Sequence, residues 1–350
     1  MKLLKLRITG MTYSPGETLL ISFEPIDAPK PKYLAGQFLT LVFEVNGKEL
    51  RRSYSLCSSP DLDEPLAIAI KRVENGEISR LLHHKTAIGD VLTALEPNGQ
   101  FSYLPEEEIK RTVFLFGAGV GITPLFSILK TALLREKHTK VILAYSNKSA
   151  AGSLFYEALQ EWQQRYPERL KIIYLFSTAK NLMMARLNGQ LIERIVAENL
   201  EFEKTDTLLY TCGPVDYMDV CRITLLNLGF QQSQIKKETF VLPEDEADED
   251  DTTEKTVKDT NTYSVILNFK GEISEIKVPY NQSILDAALA AGINLPYSCH
   301  AGICSTCTAN CTKGGVRMDY NEVLMDNEIE AGRVLVCTGH PTENGTTLVW

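Results

Sequence analysis

Four cysteines set the tightest limit on what this chain can fold into. Cys299, Cys304 and Cys307 stand in C-x4-C-x2-C spacing, and Cys337 follows further on. That spacing suits a 2Fe–2S cluster, whose loop must wrap two irons closely. Ala301, Gly302, Ser305 and Thr306 are small enough for such a loop to aim backbone N–H groups at sulfur. A structural zinc site is the other reading of four thiolates. Zinc ligands usually come as two short C-x2-C knuckles, and here there is one. Cys311 falls outside the spacing and reads as a packed thiol.

Charge divides the chain. The net charge is −9, and residues 243–260 alone hold nine acids against two lysines. That stretch, PEDEADEDDTTEKTVKDT, has almost nothing apolar to bury, so self-repulsion extends it as a linker. A net acidic balance without a basic face argues against nucleic-acid binding. With 44% hydrophobic residues the rest can form ordinary cores. Cations at Lys2, Lys5 and Arg7 interrupt the first residues, which read as a strand and not a signal segment. No apolar run reaches the length of about 18 residues that crosses a bilayer. The expectation is a soluble, cytoplasmic protein, with no membrane partner, whose eight cysteines are free thiols or metal ligands.

Periodicity gives three blocks. Residues 1–106 show short alternating runs such as LLKLRITGMTY, TLLISFEPI and FLTLVFEV, punctuated by Gly, Pro and Asn, with one short helix at Ile78–His84. This is the pattern of an antiparallel barrel. Residues 107–242 alternate apolar strands (TVFLFGAG, KVILAYSN, KIIYLFS, DTLLYTCG) with helices at Leu125–Lys137 and Leu154–Arg165, as in an α/β parallel sheet. After a linker at 243–261, residues 262–350 form a small α+β unit with a helix at Ser283–Ala291.

Three motifs carry chemistry in the first two blocks. Gly117, Gly119, Gly121, Thr123 and Pro124 form a strand–turn–helix start that could bring N–H groups to a pyrophosphate, although Ile122 takes the place of the third fingerprint glycine. The next strand ends in Tyr145-Ser-Asn-Lys148, with no acid for a ribose hydroxyl. Asn147 and Lys148 suit a 2′-phosphate, so NADPH is expected over NADH. Cys212, Gly213 and Pro214 end a later strand, where a thiol can sit against a nicotinamide ring or simply fill space. In the barrel, Arg52 offers a phosphate fork, Tyr54 a flat face and Ser55 a hydroxyl for a flavin nitrogen. Lys71, Gly76 and Ser79 precede a helix and form a second anion site. Read singly, each has a purely structural reading.

In this order the motifs resemble the ferredoxin–NADP reductase superfamily over residues 1–241, and the last block resembles a plant-type ferredoxin through LPYSC and VLVC. Ser305 departs from that family, in which many members carry glycine. The whole is most similar to the reductase components of phenylacetyl-CoA epoxidase systems, through AGQFLTL, RRSYSLCSSP and KRV. The resemblance implies FAD in place of FMN, held by Arg52, Tyr54, Ser55, Gly76 and Ser79. It implies a 2Fe–2S ferredoxin domain of β-grasp type, Cys212 and Ser55 at the hydride path, and Phe240 in a segment that returns to the flavin edge. NAD(P)H gives two electrons together and the cluster takes one, so a flavin must stand between. The expected acceptor is an oxygenase component. A hybrid-cluster or other redox protein is the alternative, and a non-catalytic redox sensor is the alternative of another class. His83, His84, His138, His300 and His340 fall in no ligand pattern, and Met183-Met184 reads as packing.

Overall fold

The computed structural model describes residues 3–14, 17–26, 28–45, 47–74, 76–179, 185–240 and 261–350. Met183-Met184 and all but the last residue of the expected linker at 243–261 lie outside them. The chain falls into two compact units, Met1–Thr239 and Phe240–Trp350.

The first six strands are β1 (Leu3–Ser14), β2 (Thr18–Pro25), β3 (Phe38–Val45), β4 (Lys48–Ser55), β5 (Leu66–Lys71) and β6 (Val91–Leu95), with helix α1 (Glu77–His84) after β5. They pair antiparallel in the order β4-β3-β6-β1-β2-β5. A bridge between Leu56 and Ile68 joins the two ends, so the sheet curls into a barrel. Alternation explains why it holds. In β1, Leu4, Leu6 and Ile8 point inward while Lys5 and Arg7 stay in water. Each buried aliphatic side chain contributes about 1.5–3 kcal/mol.

The next block holds β7 (Thr112–Ala118), α2 (Ile122–Arg135), β8 (Lys140–Asn147), α3 (Tyr156–Arg165), β9 (Leu170–Phe176), α4 (Gly189–Asn199), β10 (Thr207–Cys212), α5 (Val215–Asn227) and β11 (Ile235–Glu238). The strands form one parallel sheet in the order β11-β10-β7-β8-β9. β7 is buried along nearly its whole length, as a central parallel strand covered by helices must be. Two boundaries differ from the sequence reading. Helix α2 starts at Ile122, not Leu125, because Pro124 sits in its first turn, where no intrahelical N–H is needed. Helix α3 starts at Tyr156 because Phe155 takes a left-handed conformation, φ 60°.

The second unit contains β12 (Thr262–Phe269), β13 (Glu272–Pro279), α6 (Ile284–Ala290), β14 (Thr308–Lys313), β15 (Val316–Met318), α7 (Asp326–Glu330), β16 (Arg333–Leu335), β17 (Gly339–Pro341) and β18 (Thr346–Val349). Five strands run in the order β13-β12-β18-β14-β16, with β12 and β18 parallel. Ser283 caps α6 by accepting from Asp286 N, and Asp286 returns the bond. The cysteine loop lies between α6 and β14.

Candidate functional site

On β4, Arg52 is exposed and its Nη1 donates to the Arg51 carbonyl at 2.8 Å. Burial pushes the neighbouring Tyr54 phenol up, with Arg52 acting in the opposite sense. Ser55 is buried, and its Oγ has no hydrogen-bond partner among the described residues. An orphaned buried hydroxyl costs about 1–3 kcal/mol unless a partner completes it. Ser79 is different. Its Oγ accepts from Val73 N at 3.2 Å and donates to the Gly76 carbonyl at 3.2 Å, closing the turn into α1. Gly76 has no room for a side chain there, because a Cβ would stand 2.5 Å from Ser79 Oγ. What the start of α1 offers a ligand is therefore backbone N–H. Lys71 ends β5 exposed, across the barrel closure from β4.

The nucleotide turn is built around backbone contact. A Cβ on Gly121 would lie 2.2 Å from the Cys212 carbonyl oxygen, and one on Gly213 2.9 Å from Ala118 Cβ. Two motifs far apart in sequence thus interlock, with Cys212 beside Gly117 in the sheet register. No side chain caps α2, so its first N–H groups are not taken by one. Thr123 donates to the Val120 carbonyl at 2.9 Å, so its hydroxyl shapes the turn. Two tyrosines pin the same turn. Tyr217 donates to the Gly117 carbonyl and Tyr145 to the Gly119 carbonyl, each at 3.2 Å. Neither was legible as a site residue, since only the fold brings the end of β8 and the start of α5 to these carbonyls. Pro214 precedes α5.

Cys212 is fully buried; burial, and then Glu238, push its thiol well above the ordinary range, which keeps it neutral. Asn147 ends β8 and Lys148 follows it at the same sheet edge, with Lys148 exposed and the Asn147 side chain beside the Tyr145 hydroxyl. The 119–121 turn packs against β5, and Ala35, Ala69, Phe101 and Tyr103 of the barrel join the core beneath it. Phe240 is exposed and belongs to the second unit.

In the second unit the cysteine thiols lie within reach of one another, Cys299 with Cys304 and Cys337, and Cys337 with Cys307. Backbone N–H groups point at them. Cys299 N donates to Cys304 Sγ and Ala301 N to Cys299 Sγ, both at 3.4 Å, and Gly302 N faces Cys337. The Cys299 sulfur, together with burial, pushes the Cys304 thiol well above its ordinary range. Crowded thiols of this kind become thiolates only against a positive centre such as iron. A diiron cluster takes its cysteines two and two, whereas a single ion needs three or four on one point.

Gly302 is required, since a Cβ would fall 2.6 Å from the Tyr320 carbonyl. Ser305 stands at φ 56°, a left-handed position that favours glycine, and its Oγ donates to the Cys304 carbonyl at 2.7 Å. His300 bonds Asp286 at 2.9 Å, and Cys311 faces the Lys313 and Gly314 carbonyls.

Comparison with known proteins identifies three domains along the chain. Residues 18–103 match the oxidoreductase FAD-binding domain, 115–222 the oxidoreductase NAD-binding domain, and 267–342 the 2Fe-2S iron-sulfur cluster binding domain. The chain is 33% identical over 319 residues to one of the subunits of 1,2-phenylacetyl-CoA epoxidase from Escherichia coli K12, covering 89% of this chain and 86% of that one. It belongs to the FAD, NAD and 2Fe-2S reductase components of oxygenase systems.

A second member, the ferredoxin reductase component of Rhodococcus rhodochrous 3-ketosteroid-9-alpha-monooxygenase, is 31% identical over 349 residues, 96% of this chain and 93% of that one. The fold of this reductase recurs in phthalate dioxygenase reductase, with TM-score 0.58 and 24% identity over 99% of this chain and 97% of that one. It recurs too in an intact type IV self-sufficient cytochrome P450 monooxygenase, with TM-score 0.71 and 20% identity over 99% of this chain, which spans 41% of that longer one. No described helix of the reductase is long and apolar enough to cross a membrane.

Proposed function

We propose that this reductase takes hydride from NADPH and delivers single electrons to an oxygenase of the phenylacetyl-CoA epoxidase type. The observation that carries the route is the contact of Gly121 with the Cys212–Gly213 backbone, which sets the nucleotide turn and the thiol turn together beside β5. When bound, FAD and the 2Fe–2S cluster supply the conversion of a two-electron hydride into single electrons.

The residues then divide the work. Arg52, Lys71 and the N–H groups after Gly76 would hold flavin phosphate, Tyr54 would offer its flat face to the ring, and Ser55 Oγ would donate a hydrogen bond to it. Gly117, Gly119 and Gly121 bring the N–H groups of α2 to the pyrophosphate, with Thr123 and Pro124 shaping that end. Asn147 and Lys148 take the 2′-phosphate. Gly213 and Pro214 set the buried, neutral Cys212 thiol against the nicotinamide. Cys299, Cys304, Cys307 and Cys337 hold the irons, and the three N–H groups at their sulfurs stabilise charge there. The domains are 1–106 for flavin, 107–242 for nucleotide and 262–350 for the cluster, tethered by 243–261. A chain whose cysteines are iron ligands and free thiols suits a cytoplasmic setting.

The acceptor is tested by adding the reductase, loaded with FAD and cluster, to NADPH, dioxygen, phenylacetyl-CoA and the oxygenase component of the epoxidase. Epoxide should form, with kcat/KM for NADPH about 10-fold or more above that for NADH, as one charge-assisted hydrogen bond would give. Electron delivery to a 3-ketosteroid hydroxylase component and none to the epoxidase would reassign the acceptor. A preference for NADH would remove the role given to Lys148.

A further inference from the structure

Helix α2 carries polar residues at positions 127, 130, 131 and 135, one face of a helix. On an ordinary surface helix such a stripe faces water. Here Ser127, Lys130 and Thr131 are buried, and Lys130 is only 4% exposed. What covers them is the loop 57–65 that leaves β4 two residues after Ser55. Ser127 Oγ donates to the Ser58 carbonyl at 2.6 Å, and Ser59 Oγ meets Thr131 Oγ1 at 2.9 Å. Lys130 Nζ donates to Glu64 Oε1 at 2.5 Å, and the same oxygen accepts from Ser59 N. Arg135 pairs with Asp61 at 2.6 Å at the exposed end. Tyr33 OH and Ala67 N both bond Ser58 Oγ, which anchors the loop to the barrel.

Lys130 is buried while the Glu64 side chain is 32% exposed; an ion pair with a buried partner is a poor source of stability, because desolvation offsets most of its attraction, and its better-attested use is to fix one geometry. The geometry fixed here joins two sites. Helix α2 begins at the nucleotide turn, and the loop begins at the flavin strand. Apolar packing alone would allow the helix to slide on the barrel, whereas four directional contacts admit one register. We propose that Lys130, through Glu64 and Ser59, is a positioning residue that locks the nucleotide helix to the flavin strand and so sets the distance for hydride transfer. This rests on the reading of the two sites given above. A misplacement of about 1 Å can cost on the order of 100-fold in rate.

The test is Lys130→Met in the full, FAD-loaded chain. Flavin content and the dissociation constant for NADP+ should stay within about two-fold, since Lys130 touches neither ligand. The anaerobic rate of flavin bleaching by NADPH should fall about 10- to 100-fold. In the flavin-free protein, NADP+ should slow amide hydrogen exchange in 57–65 of the wild type but not of the variant. Thr131→Val, which removes only the Ser59 contact, should show the same pattern at a smaller scale and serves if Lys130→Met does not fold. Bleaching within two-fold of wild type, with unchanged exchange in 57–65, would overturn the proposal. Wild-type protein that bound FAD but was not bleached by NADPH would instead overturn the reductase reading itself.

Discussion

Gly121→Ala is expected to reduce NADPH-dependent flavin bleaching by about 100-fold while flavin remains bound. The added methyl would stand 2.2 Å from the Cys212 carbonyl oxygen and 2.6 Å from its carbon, and both atoms belong to backbone held in the sheet by β7 and β11. Neither turn can yield locally, so the N-terminus of α2 must move away from the thiol turn. Overpacking of this kind costs about 1–3 kcal/mol, and the shift misplaces whatever the turn holds. Gly117→Ala gives the contrast. Its methyl meets the end of a flexible side chain, Leu125 Cδ1, at 2.9 Å, and should cost under about 1.5 kcal/mol. Stopped-flow bleaching and thermal melts of the two variants measure both effects. Equal losses in the two would show that the Gly121–Cys212 contact is not what organises the site.

Cys304→Ala is expected to empty the second unit of iron. Cys304 is buried and receives the Cys299 N–H, and Thr306 Oγ1 lies 3.4 Å from its sulfur. Losing it removes one of four thiolates and leaves the others without a complete partner. Flavin bleaching by NADPH should stay within about two-fold, because the first unit has its own core. Electron delivery to an external one-electron acceptor should fall by about 100-fold or more, measured as acceptor reduction per bleached flavin, since the route from flavin to acceptor passes through the cluster. Cys311→Ala should retain iron, since its sulfur is directed to the Lys313 and Gly314 carbonyls. Loss of both activities in Cys304→Ala would mean that the two units do not act as separable modules.

Much of this was legible in the chain because its signals are local. Strand alternation in residues 3–8, the apolar run of β7 and the spacing of Cys299, Cys304 and Cys307 each report a structure within a few residues. What was not legible depends on contacts across the fold. The glycines of 117–121 look alike in sequence, yet Gly121 alone abuts the backbone of Cys212. The helix reads from Leu125 in sequence, whereas Pro124 stands inside its first turn. Ser79 and Thr123 look equivalent to Ser55 in sequence, but their hydroxyls are committed to their own turns. Lys130 reads as one cation in an apolar helix, and its partner Glu64 lies in a loop of another domain. The glycine preference at Ser305 comes from family resemblance, and its physical cause is a positive φ.

The central claim is that one chain carries hydride from nucleotide to flavin and single electrons onward to a 2Fe–2S cluster. An anaerobic visible spectrum of the purified protein, taken before and after NADPH with iron and labile sulfide counted, tests it most directly. The account predicts about one flavin, two irons and two sulfides per chain, with both flavin and cluster absorbance bleached by NADPH. Flavin without iron, iron without flavin, or a spectrum unmoved by reduced nucleotide would contradict it.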